Sequence, residues 1–229
     1  VNMAVNMLKA KKKVLYFSLE MSTSELLDRF VPIYGNYNAR DIRERAVQQD
    51  FLHGTVTELK QFDLRVVWSG AITSSDVAYE ITNQQPDVVM VDYLQRLNDD
   101  KGRDTEMERL RDMVRKLKNC AMANQIPIIT PVQIDKASSK SGQIRVENVA
   151  GAKDIANEAD LALYLYEKEN KRESINQTTS YETRLRIVKA RHAMKGTDIK
   201  INFDKYNLRM TDENDGKDFE QISRELPPM

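Results

Sequence analysis

Apolar positions recur along this chain with two periods, one helical and one of the short continuous kind that marks buried strands. Val1, Ala4, Val5 and Leu8 share one helical face, and Lys9 to Lys13 follow at the end where cations favour the helix dipole. The run Val14-Leu15-Tyr16-Phe17-Ser18-Leu19 reads as a strand buried on both faces, and it closes on Glu20. Ser22-Thr23-Ser24-Glu25 supplies N-cap chemistry for a helix through Phe30 and beyond. Residues 38 to 61 predict polar helices broken near His53-Gly54, and Arg65 to Trp68 a short strand. Thr73-Ser74-Ser75-Asp76 starts a helix through Asn83. Val88-Val89-Met90-Val91, punctuated by Pro86-Asp87, is a second doubly buried strand, closing on Asp92.

A polar loop over 98 to 104 leads to a long amphipathic helix from Thr105, with Met107, Leu110, Met113, Val114, Leu117, Cys120 and Ala121 on one stripe. Its Arg109, Arg111, Arg115, Lys116 and Lys118 read as a solvated face. Ile126 to Val132 predicts a third buried strand, ending in Gln133. Strands and helices alternating with crossovers of this length predict an α/β fold with a parallel, doubly wound sheet. The pattern then changes. Residues 135 to 149 form a long Ser-, Lys- and Gly-rich loop, and Gly151 to Glu158 a short helix. Strands follow over 161–167, 181–188 and 198–203, with a hairpin tip over 189–197. A polar tail occupies 211–229, so one domain is expected over 1–210.

Composition narrows the class. Lys and Arg number 35, as do Asp and Glu, so any nucleic-acid surface must be a local patch or loop. The single cysteine, Cys120, excludes an internal disulfide and a cysteine zinc site, and fits a reducing compartment. In a helical pattern it reads as a small buried apolar residue. No apolar run reaches membrane-span length and no signal peptide is visible, which predicts a cytosolic protein without a membrane partner. The start at Val1, inside a helical pattern with no cap before it, predicts a chain shortened at its front.

Ligands of open α/β sheets sit beyond the carboxyl ends of the strands. Asp92 stands there, and by itself it reads equally as a cap for the next turn or as a carboxylate holding a magnesium ion. Glu20, Asp92 and Gln133 together place two carboxylates and an amide at one sheet edge. Nucleotide hydrolysis needs such a set: a group that orients water, one that holds magnesium, and a sensor of the terminal phosphate.

With these residues on view, the chain resembles the hexameric replicative DNA helicases of the DnaB type. Val14-Leu15-Tyr16-Phe17-Ser18-Leu19-Glu20-Met21-Ser22 is similar to the strand that follows their phosphate-loop helix. Val91-Asp92-Tyr93-Leu94-Gln95 resembles their Walker-B segment, and Pro127-Ile128-Ile129-Thr130-Pro131-Val132-Gln133 their next strand. Ala159 to Tyr166, and Ile187-Val188-Lys189-Ala190-Arg191 with its Lys-x-Arg, match the family's later segments. The resemblance implies a RecA-like ATPase core using ATP and Mg2+. Glu20 would be the catalytic base, and Asp92 would hold magnesium, with Gln95 beside it at the nucleotide. Gln133 would sense the terminal phosphate. Arg191, with Lys189, would reach into the nucleotide site of a neighbouring subunit, the competing reading being a solvated hairpin charge.

Single-stranded DNA would follow the loop after Gln133 and the segment around Gly151, where Lys136, Lys140, Arg145 and Lys153 are the available cations. The loop has no aromatic residues, so backbone contact rather than base stacking is expected. A homo-oligomeric ring, a hexamer in this family, is implied, with primase and a helicase loader as further partners and a bacterial or phage-infected cytoplasm as the setting. Two departures stand out. No Gly-x-x-x-x-Gly-Lys-Ser/Thr loop occurs in the sequence. It is expected upstream of Val1, and without it the fragment should be inactive. The hairpin reads Arg191-His192-Ala193-Met194-Lys195-Gly196 in place of a Gly-rich tip. Rival readings are another RecA-like ATPase of recombinase or clock type, and a non-catalytic DNA-binding or scaffold module.

Overall fold

In the computed structural model the described residues are 1–98, 105–133, 152–170, 180–191 and 196–212. The first half builds a four-stranded parallel sheet from β1 (Val14–Ser18), β2 (Leu64–Trp68), β3 (Val88–Asp92) and β4 (Ile128–Ile129), in the order β2-β1-β3-β4. Register aligns Val14 with Val88 and Ser18 with Asp92. Alternation then sends successive side chains to opposite faces. Val14, Tyr16, Val88 and Met90 join one apolar cluster with Ala4, Val5 and Leu8 of α1 (Asn2–Lys9) and Leu26, Phe30 and Ile33 of α2 (Thr23–Gly35). Leu15, Phe17, Val89 and Val91 join the other cluster, with Val77 and Ile81 of α5 (Ser74–Gln84) and Leu110, Met113, Val114 and Leu117 of α6 (Glu106–Asn124). Helices therefore cover both faces, as the doubly wound reading predicts.

The N-terminal caps form where the sequence signals them. Ser22 and Glu25 make a reciprocal capping box on α2, and Thr73 with Asp76 another on α5. Between them lie α3 (Ala39–Arg43) and α4 (Gln49–Leu59). The break expected near His53-Gly54 is absent. α4 runs through both residues, and the Thr57 hydroxyl donates back to the carbonyl of His53 at 2.8 Å. A mid-helix glycine costs only about 1 kcal/mol relative to alanine. The interruption falls instead after Glu44, where Arg45 takes a positive φ of 57° and Ala46 N–H bonds Asp41. β4 is also shorter than expected. Pro127 and Pro131 bracket it and lack the N–H groups a ladder needs.

The second sheet is antiparallel, in the order β5-β6-β7-β8: β5 (Leu161–Asn170), β6 (Ser180–Ala190), β7 (Asp198–Asp204) and β8 (Arg209–Thr211). β8 has no counterpart in the sequence reading. Asn2 secures it to the front of the chain, donating to Leu208 O and accepting from Met210 N–H, each at 2.9 Å. On one face of this sheet Arg186 grips Asp198 through two bonds of 2.8 and 2.6 Å, and the Tyr166 hydroxyl joins them. The short helix α7 (Ala152–Glu158) precedes β5 and packs on α6, with Ile155 against the first sheet's core.

Met113 lies fully buried at the centre of the α6 face. Met113→Ala is expected to lower unfolding stability by about 2–5 kcal/mol in urea titration; a loss under about 1 kcal/mol would show that this face is loosely packed.

Candidate nucleotide-hydrolysis site

At the carboxyl edge of the parallel sheet, Asp92 ends β3, while Glu20 and Gln133 follow two and four residues after the neighbouring strands β1 and β4. β1 and β3 pair to their last residues, and Leu19 N–H then donates to Asp92 O at 3.0 Å, one step beyond the ladder. Glu20 follows directly and is exposed. Its carboxylate lies 3.8 Å from the guanidinium of Arg96, which stands over the ring of Tyr93. Asp92 is aligned with Ser18 on the neighbouring strand, and Glu20 stands two residues past that pair, so both carboxylates lie at the carboxyl ends of adjacent strands.

Asp92 is the last residue of β3, and Oδ2 accepts a 2.6 Å hydrogen bond from the hydroxyl of Tyr16. Tyr16 is buried among α1 and α2 side chains, with Phe30 edge-on to its ring. Burial first, and the bond to Asp92 second, push the phenol well above its ordinary pKa. It therefore stays protonated and donating, so Asp92 is oriented from below, and no hydrogen bond to Oδ1 occurs among the described residues. No group of three or more His, Cys, Asp or Glu side chains that could cage a metal occurs among the described residues. Magnesium bound through one carboxylate, waters and substrate phosphates needs no such cage, so the donor set fits that ion.

Beyond Asp92 the Asp92–Tyr93 peptide is cis, and a 3-10 turn, Leu94–Arg96, follows. This turn is tied to the segment after β4. Leu94 N–H donates to Pro131 O at 3.1 Å, and the Thr130 hydroxyl to Val91 O at 2.9 Å. Gln95 then pairs with the backbone of Gln133: its amide nitrogen donates to Gln133 O at 2.8 Å, and its oxygen accepts from Gln133 N–H at 3.3 Å. The Gln95 amide is thus engaged with Gln133's main chain, leaving the exposed Gln133 side chain at the end of a braced segment.

Arg109 is a correction to the solvated-face reading of α6. Only a fifth of its side chain is exposed, and its guanidinium donates to Leu97 O at 2.6 Å and Gln95 O at 3.0 Å while pairing with Glu106. It fastens the 3-10 turn to the long helix. Lys118 is also withdrawn from solvent, on Asp160.

Arg191 lies just after β6 and is held on Asp160. Its Nη1 is 3.1 Å from Asp160 Oδ1, and its N–H donates to Asp160 O at 3.0 Å. Asp160 also accepts from Lys118 of α6. Lys189 donates to Ala156 O at 2.8 Å and Asn157 O at 2.5 Å, the last carbonyls of α7, where the helix dipole favours a cation. Lys136, Lys140, Arg145 and Gly151 lie outside the described residues, as do residues 192–195; Lys153 sits on α7, and its side chain is not among those described. Trp68 and His53 are exposed, Trp68 at the end of the edge strand β2.

Sequence reasoning passed over Tyr16, Arg96, Arg109 and Lys118 as site residues. Only Tyr16 carried a signal: a buried phenol must find a partner for its hydroxyl, and an adjacent strand ending in Asp offers one.

The Asp160 carboxyl is held below its ordinary range, chiefly by the hydrogen bond from Lys118 and then by the charges of Lys118, Arg191 and Lys189. A depressed folded value contributes stability that is complete above the unfolded pKa and is lost as pH falls through the folded one. Carboxyl NMR is expected to show Asp160 titrating below the ~3.9 of an unstructured Asp, and Lys118→Met to move it upward. An unchanged midpoint in that variant would contradict the pairing.

Residues 1–212 match the family model described as the DnaB-like helicase C terminal domain. Among curated proteins the chain is similar to the replicative DNA helicase DnaB of Helicobacter pylori (25% identical over 176 residues, 72% of this chain and 36% of that protein). It is likewise similar to a probable plasmid replicative DNA helicase of Chlamydia psittaci (24%, covering 74% and 39%) and to DnaB of Mycoplasma pneumoniae (23%, covering 86% and 44%). The chain thus spans between a third and a half of these relatives' length. Two solved structures share the fold at a TM-score of 0.80 and 19% identity, each over 91% of this chain. One is described as an ATPase domain and is covered over 77%; the other, covered over 52%, is a DnaB-like replicative helicase described with its interactions with primase.

Proposed function

Because the chain belongs to the DnaB-like helicase C-terminal domain family, we propose that it is the RecA-like motor of a replicative DNA helicase, hydrolysing ATP between the subunits of a ring that moves on single-stranded DNA. The observation that carries the reading is the separation of parts. Glu20, Asp92 and Gln133 share one sheet edge, while Arg191 is held on Asp160 beside the other sheet. A subunit so arranged has the base, the metal carboxylate and the sensor, and offers its arginine elsewhere.

In this reading Glu20 accepts the proton of the attacking water, moving off Arg96 as it does so. Asp92, oriented by Tyr16, would hold Mg2+ through the ion's water shell. When bound, Mg2+–ATP supplies the phosphoryl group and offsets the charge that builds on it. Gln133 contacts the terminal phosphate, and its main chain, clamped by Gln95, passes the change into residues 134–151, whose Lys136, Lys140, Arg145 and Gly151 follow the DNA backbone together with Lys153. Arg191 enters the neighbour's site, and such an arginine is worth about 10³–10⁵ in rate. Lys189 anchors the strand end that presents it. A hexameric ring, the bacterial or phage-infected cytoplasm, and primase and loader contacts complete the proposal.

Glu20→Gln, in a polypeptide that includes a phosphate loop, is expected to abolish ATP turnover while leaving nucleotide affinity near the parent's. Turnover at the parental rate would sink the role given to Glu20. Turnover absent in the parent as well would favour a non-catalytic DNA-binding module.

A further inference from the structure

Arg191 is fastened from several sides. Its main chain pairs with Asp160 O and its side chain with Asp160 Oδ1, so both ends of the residue are fixed to one neighbour. Asp160 stands just before β5, opposite the end of β6, where Leu161 pairs with the buried Ala190. Its second carboxylate oxygen takes the ammonium of Lys118, a side chain only 17% exposed. Two residues before Arg191, Lys189 locks the same strand to the end of α7. One carboxylate thus joins the rigid helix α6 to the guanidinium, and half of the arginine side chain remains in solvent. A guanidinium has five N–H donors, so holding it at one nitrogen leaves the others to meet a planar set of phosphate oxygens.

α6 also has a second duty. Nine residues before Lys118, Arg109 grips the carbonyls of Gln95 and Leu97 beside the home site. Two and a half helical turns, about 13 Å, separate the two grips. The same rod that braces the segment under Gln133 therefore also sets the carboxylate on which Arg191 rests.

We propose that Asp160 is a positioning residue for Arg191: anchored by Lys118, it fixes the guanidinium and its strand end in the pose that reaches a neighbouring subunit's terminal phosphate. This rests on the reading that Arg191 acts across the subunit interface. An exposed ion pair contributes little to stability, so the purpose of the arrangement lies in geometry. Misplacing a catalytic group by about 1 Å can cost on the order of 100-fold in rate.

The test uses the full-length ring-forming protein carrying Asp160→Asn, Asp160→Glu, Arg191→Ala and the double change Asp160→Asn with Arg191→Ala. Asp160→Asn is expected to lower kcat by about 10- to 100-fold and to leave KM for ATP within about twofold. Asp160→Glu is expected to recover part of the loss, and the double variant to turn over no more slowly than Arg191→Ala alone. Lys118→Met, which removes the anchor and keeps the carboxylate, is expected to reduce kcat in the same direction and less. The inference is overturned if Arg191→Ala is slow while Asp160→Asn turns over at the parental rate, or if the two losses multiply in the double variant. Parental turnover by Arg191→Ala would instead defeat the interface reading, and Asp160's role with it.

Discussion

The amide of Leu19 meets the carbonyl of Asp92 at 3.0 Å, one residue past the point where β1 and β3 stop pairing. That bond and the ladder beneath it fix where the chain leaves the sheet, and so set Glu20 and Asp92 at the ends of adjacent strands over a buried floor. Every side chain of β1 is buried, and all of β3 except Asp92. A one-residue slip would exchange the two apolar clusters and send Leu15 and Phe17 to the wrong helices. The register that places the carboxylates is therefore held by the whole core. Tyr16 unites the two roles: its ring belongs to the α1–α2 cluster and its hydroxyl orients Asp92.

Attached to this floor is a set of braces whose business is the main chain. Gln95 holds Gln133 by its backbone, Arg109 holds the turn containing Gln95, and Asp160 holds Arg191 by backbone and side chain together. Among these braces the Asp160–Arg191 ion pair is exposed and would contribute little to stability. Their value is directional, since a charge at the edge of a sheet is useful for phosphoryl transfer only when its donors point at one place. α6 links the braces, with Arg109 near its start and Lys118 in its second half.

Much of this was legible in the residues, for physical reasons that differ by element. Continuous apolar runs such as 88–91 can satisfy their burial only as strands covered on both sides, and Ser22 and Thr73 with their acidic partners three residues on can do little other than cap helices. The carboxylates after the strands followed from strand ends alone. The misses lie where a weak local cost was overridden or a side chain travelled far. Gly54 is carried through α4 by the rest of the helix. Pro127 and Pro131 shorten β4, although Ile128 and Ile129 have strand character. β8 is three residues long and forms because Asn2, more than two hundred positions earlier, supplies its hydrogen bonds. Arg109 and Lys118 look like any solvated helical cations until the segments they grip are in place.

Completion of the hydrolytic site by a neighbour's Arg191 can be tested by one experiment. Subunits carrying Glu20→Gln and subunits carrying Arg191→Ala, each inactive alone, are mixed in equal amounts and allowed to exchange within rings. An interface between an Arg191→Ala subunit's site and a Glu20→Gln subunit's arginine is whole, so random mixing restores activity at about a quarter of the sites of a cyclic assembly. ATP hydrolysis returning to that order supports the composite site. A mixture as inactive as its parts, with exchange between rings demonstrated, would contradict it, because that is the result if Arg191 serves only its own subunit.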